Sequence, residues 1–131
     1  MIEQHEALPL LAEACPSFKE CWQEHMREYG NDLLYIAAGA LGEHLLHLYR
    51  KENLSSFPQI AFVLEQFHVE GSAWVKDFGT AGVLEGIQNV WSNSGTDPSG
   101  FAVFLLPESR RRWDALNTFW SGNAPHFSPD A

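Results

Sequence analysis

Leu33-Leu34-Tyr35-Ile36-Ala37-Ala38-Gly39-Ala40-Leu41-Gly42-Glu43-His44-Leu45-Leu46-His47-Leu48 decides the fold class of this chain. Leu33, Ala37, Ala40, Leu41, His44, Leu45 and Leu48 recur at steps of three and four, the spacing at which helical side chains share one face. A strand would instead alternate every second residue. The apolar part of the run ends at Glu43, so it is too short to span a bilayer.

The same period extends outward in both directions. Ile60, Val63, Leu64 and Phe67 make a second stripe, Val83, Ile87, Val90 and Trp91 a third, and Trp113, Leu116, Phe119 and Trp120 a fourth. Ser17-Phe18-Lys19-Glu20 after Pro16 has the form of a capping box, and Ser56-Phe57-Pro58-Gln59 repeats it. Asp97-Pro98 sets a cap before a first-turn proline. Gly30, Gly71, Gly95 and Gly122 follow helical runs, where a left-handed residue commonly ends the helix.

These marks predict helices over 2–14, 17–29, 32–52, 57–70, 73–93, 98–105 and 108–121. Phe101 to Leu106 is the one ambiguous run, and Pro107 ends it. The expected fold is all-α, a compact bundle of antiparallel α-hairpins with six or seven helices, one hairpin pairing 57–70 with 73–93. A single helical domain is expected over 1–122, with 123–131 as a disordered tail.

Composition fits one packed domain. The chain has 131 residues, 45% of them hydrophobic, with five Trp and nine Phe, which is more apolar material than disordered chains carry. Eight Lys and Arg stand against 17 Asp and Glu, a formal charge of −9. That field repels phosphate backbones and argues against nucleic-acid binding. It either attracts a basic protein or simply keeps the chain soluble. Arg110, Arg111 and Arg112 form a basic island whose members point in different directions around a helix. The two cysteines, Cys15 and Cys21, would lie about 9 Å apart along a common helix, too far for an undistorted disulfide. Met1-Ile2-Glu3-Gln4-His5-Glu6 is acidic where a signal peptide would be basic, and the expected location is the cytoplasm.

Three constellations could carry chemistry. Glu43, His44 and His47 lie within two turns, and Glu65-Gln66-Phe67-His68 is a single Glu-x-x-His. Carboxylate-bridged metal bundles need two such helices and further glutamates, so no metal and no cofactor is expected. Glu85, Gln88 and Asn89 fall on a face that begins apolar at Trp74, Phe78 and Ala81. Glu85 is then either a recognition or acid–base group in a cleft, or a polar bolt accepting hydrogen bonds from a neighbouring helix start. Glu20, Glu24 and Glu28 recur every four residues along one helix face, in a segment (1–32) with seven acids and two bases. They are the candidate partner-binding residues; a merely solvated face would carry the same pattern. The chain contains no Gly-x-Ser-x-Gly, no Gly-rich phosphate loop and no His-Glu-x-x-His.

Val83-Leu84-Glu85-Gly86-Ile87-Gln88-Asn89-Val90-Trp91, the later Asp97-Pro98 and Trp113-Asp114-Ala115-Leu116-Asn117-Thr118-Phe119-Trp120 resemble a family of small bacterial all-helical proteins of unknown function. Phe18, Trp22 and the long helix after Gly30 extend the resemblance over residues 15–122, with Ile87 where the family usually has Leu. Members resemble immunity proteins encoded beside polymorphic toxins. The resemblance implies a binding protein that neutralises a cognate toxin, and the acidity suits a basic toxin domain. The alternative is a small hydrolase or metal-dependent enzyme using Glu85 with nearby His or Asn.

Overall fold

The computed structural model describes residues 1–30 and 33–120, and over these the chain is all-α. The elements are α1 (Gln4–Ala14), a 3-10 turn (Pro16–Phe18), α2 (Lys19–Tyr29), α3 (Leu34–Arg50), α4 (Phe57–Glu70), α5 (Ala73–Asp77), α6 (Glu85–Asn93), α7 (Ser99–Ala102) and α8 (Pro107–Trp120). A π-helical stretch, Phe78–Leu84, joins α5 to α6 into one continuous rod. The expected tail and Gly122 lie outside the described residues, as does Asp32.

α3 and α6 form the central pair, and α4 packs on α1, α5 and α8. Gly42 and Gly86 let α3 and α6 approach closely: a Cβ on Gly42 would stand 3.4 Å from the Gly86 carbonyl oxygen. Trp91 lies beside this crossing, fully buried, and its indole N–H donates to the Gly42 carbonyl at 3.1 Å. Tyr49, Phe57 and Phe101 surround its ring, and Phe101 carries the aromatic contact on to Trp113. Burying a large aromatic with its N–H satisfied gives hydrophobic gain without an orphaned donor. Arg50 fastens the far end of α3 to the loop after α6, donating to Ser94 O and Thr96 Oγ1.

Several local expectations are corrected by tertiary contacts. Ser17 does not cap α2; it sits in the 3-10 turn and its hydroxyl bonds His44 Nε2 at 2.7 Å. Ser56 precedes α4 but its side chain makes no capping bond. A side-chain cap not foreseen lies at Ser72, whose hydroxyl accepts the Val75 N–H, while Asp97 accepts the Ser99 N–H, in keeping with the expected Asp97-Pro98 cap. Gly30 and Gly95 are left-handed as expected, but Gly71 is extended. Gly71 is needed for space: a Cβ there would meet the Phe67 carbonyl oxygen at 2.3 Å. At this corner Ile2 donates to Glu70 O and accepts from Ser72 N, pinning the start of the chain beside Gly71.

Leu33 also departs from the α3 stripe. It is left-handed and 55% exposed, and Leu34 and Ala38 are buried in its stead. At the other end of the chain Trp120 is 57% exposed while Arg112 is buried. No helix among the described residues is long and apolar enough to cross a membrane.

Candidate functional site

Two regions concentrate polar side chains. The first joins α4, the π stretch and α8. α8 begins at Pro107, which leaves the amides of its first turn without helical partners. Glu65 reaches across from α4 and accepts from the Glu108 N–H at 3.1 Å and the Ser109 N–H at 2.9 Å. A carboxylate at a helix start also meets the favourable end of the helix dipole. One turn further along α4, buried His68 bonds Ser109 Oγ through Nδ1 at 2.7 Å and Thr80 Oγ1 through Nε2 at 3.1 Å. Arg112 donates to the same Thr80 oxygen at 3.3 Å and to Glu108 Oε1 at 3.1 Å.

Arg112 can only donate, so Thr80 Oγ1 accepts from it. His68 is neutral, one ring nitrogen donating and the other accepting between Ser109 and Thr80. Burial agrees, pushing its pKa down to about 3, helped by the Arg112 charge. The side-chain bond from Arg111 and that from Arg112 hold Glu108 at about 2. Thr80 reaches this knot because the π stretch widens the turn, and because Gly79 leaves room. A Cβ on Gly79 would stand 2.8 Å from His68 Nε2.

The Glu-x-x-His of the sequence is therefore a helix-joining device: Glu65 and His68 both serve the start of α8. Glu43 and His47 are exposed on α3, and His44 goes to Ser17. Burial, with His47 adding to it, lowers the His44 pKa. Among the described residues no three His, Cys, Asp or Glu side chains gather where they could hold a metal ion.

Glu85, Gln88 and Asn89 do not form one cluster. Gln88 is buried, and its amide donates to Trp113 O at 3.3 Å, tying α6 to α8. Asn89 is exposed and Glu85 half-buried. Glu85 lies near Tyr35, whose hydroxyl donates to Asp77 and whose ring meets Trp74 and Phe78 edge-on. Burial raises the Tyr35 pKa, followed by the Asp77 bond and the two carboxylate charges. The service of binding a neighbouring helix start, offered to Glu85 by the sequence, is performed at α8 by Glu65.

The second region lies between α2 and α3. α2 has one buried residue, His25, with Trp22 and Met26 half-buried. Glu20, Glu24 and Glu28 are all exposed, as their spacing requires. Beside them runs an open groove of about 490 Å³, floored by Phe18, Ala37 and Ala40 and edged by Ile36, Glu24 and Glu28. Glu20 is not among its lining residues. Arg27, the cation in the groove, stands 4.0 Å from Glu24 with both side chains largely exposed, a pairing of little energetic weight. Cys21, exposed on the groove wall, has its thiol pKa raised by burial and then by Glu24 and Glu43. The carboxylates that line the groove, Glu24 and Glu28, both come from α2. Sequence spacing found the carboxylates but not the groove, since the apolar floor comes from another helix.

A family model described as a domain of unknown function, DUF7674, matches residues 8–121. No curated protein and no solved structure matches the chain.

Proposed function

The chain belongs to the DUF7674 family, and from that premise we propose that it is a binding protein that neutralises a cognate basic toxin by covering its active surface. The observation that carries this reading is the α2–α3 groove, where exposed carboxylates border an apolar floor. Carboxylates at an interface rim steer encounter, and apolar contacts beneath them supply residence time. Ile36 is 53% exposed and Tyr29 38%, so apolar surface is available beside the acids. The resemblance to immunity proteins supports the same partner class.

The test uses the protein encoded beside this chain, purified and immobilised, with binding kinetics followed at low and high salt. Association should be fast and slow markedly as salt shortens the Debye length. Replacing Glu20, Glu24 and Glu28 together by Gln should lower the on-rate about tenfold at low salt. Co-expression should restore growth to cells producing that toxin. An on-rate unmoved by salt and by the triple change would reduce these carboxylates to solubilising groups.

A further inference from the structure

We infer that the α2–α3 groove seats a basic amphipathic helix, with its apolar face against Ile36 and Ala40 and its cations beside Glu24 and Glu28. This deepens the neutralising reading by naming the element of the partner that is recognised, and it rests on that reading for the partner's identity.

The walls decide the secondary structure of the occupant. Both are α-helices, whose main-chain groups are already paired within α2 and α3. An extended peptide would find no edge to bond and would leave its own amides unpaired, whereas a helix arrives with them satisfied. α2 runs for 11 residues, about 16 Å at the helical rise, enough to flank three turns of a guest. Such a guest presents apolar side chains at i, i+3, i+4 and i+7.

Charge decides the rest. Glu24 and Glu28 line the groove from α2, where Arg27 is the cation among the lining residues, and exposed Glu43 follows on α3 beyond that lining. Burial first, and then the charges of Glu24 and Glu43, raise the pKa of the Cys21 thiol on the groove wall. The apolar lining rules out a purely polar cationic chain as the best occupant, because it would leave the exposed Ile36 and Tyr29 and the half-buried Ala40 without apolar cover. A small organic cation fits less well, since the groove is open and small-ligand sites enclose most of the ligand surface.

The probe is a fluorescent Leu/Lys peptide of about four helical turns with Leu at the amphipathic positions, compared with a scrambled peptide of the same composition. Anisotropy titration of the full chain should show the patterned peptide binding about tenfold tighter than the scrambled one. Ala40→Trp, which fills the groove, and Ile36→Ser should each weaken it about tenfold, with circular dichroism confirming that both variants remain folded. Bound peptide should also shield Cys21 from alkylation. Equal binding of both peptides, unchanged affinity in folded Ala40→Trp, or unaltered Cys21 alkylation under saturating peptide would overturn the inference. The cognate protein separates the two readings. If it binds wild type and Ala40→Trp alike, the groove assignment falls and neutralisation stands. If the patterned peptide binds and the cognate protein does not, neutralisation falls and the groove stands.

Discussion

Glu65 on α4 and Glu24 on α2 are both glutamates on amphipathic helices, and their surroundings set them to opposite tasks. Glu65 has each carboxylate oxygen taken by a backbone amide of α8, beside a knot in which His68, Thr80, Ser109, Arg112 and Glu108 hold one another. Glu24 shares one long, exposed contact with Arg27, and Glu20 and Glu28 have no hydrogen bond or ion pair among the described residues. Desolvation explains the contrast. A polar group taken from water is destabilising unless paired, so the interior retains only groups with complete partners. At the surface water satisfies the carboxylate, and its charge stays available to something arriving. Commitment in the knot holds the fold; availability in the groove is what a binding surface needs.

The largest expected effect comes from breaking the knot at its buried cation. Arg112→Ala should cost about 2–4 kcal/mol, read from urea unfolding, because Thr80 and half of the Glu108 pairing lose their donor. A loss near zero would show that the knot contributes no stability and would erase the contrast with α2.

Gly79→Ala should come second, at about 1–3 kcal/mol, since its methyl would press on the His68 ring. The same change in a His68→Ala background should cost less, as the obstructing ring is gone. Additive losses would place the damage elsewhere in the π stretch.

Titration sharpens the comparison next. His68 binds its proton near pH 3 when folded and near about 6.5 when unfolded. Between those values the unfolded chain holds more protons, so stability rises with pH across the window and is lost on acidification. The slope between pH 5 and 6 should approach about 1 kcal/mol per unit. His68→Gln should flatten it, leaving the smaller contribution of half-buried His44, which has the same sign. Glu108, held at about 2, extends the acid loss to lower pH, below its usual carboxylate range. A slope unchanged in His68→Gln would move the titrating group away from the knot.

The smallest effect belongs to α2. Replacing Glu20, Glu24 and Glu28 by Gln should shift stability by less than about 0.5 kcal/mol in a thermal melt, while the on-rate for a basic partner falls. A large stability loss would mean that these carboxylates are committed like Glu65.

Much of the fold was legible. Ile60, Val63, Leu64 and Phe67 are buried as their spacing demands, and the 57–70 helix falls on its expected bounds. The 73–93 rod was legible as helical, but its π stretch was not. There the Glu85 N–H reaches back to the Thr80 carbonyl, adding roughly one residue to the turn and rotating the rest of the rod by about 100°. Glu85 nevertheless emerges half-buried near Tyr35, the ring that Trp74 and Phe78 also meet. Of the candidate site, the exposed carboxylate ladder was readable and the groove beside it was not.

The sequence by itself determined the helices, their amphipathic faces and the acidic ladder of α2, because helical hydrogen bonds are local and a period of 3.6 is written along the chain. Only the tertiary structure decided that Glu65 would bind the start of α8 and that Arg112 would be buried rather than exposed. It also decided that Ser17 would turn from its own helix to His44. Each depends on a partner brought from another helix. A polar side chain takes whichever partner removes its desolvation cost, and local spacing carries no record of which helix will deliver it.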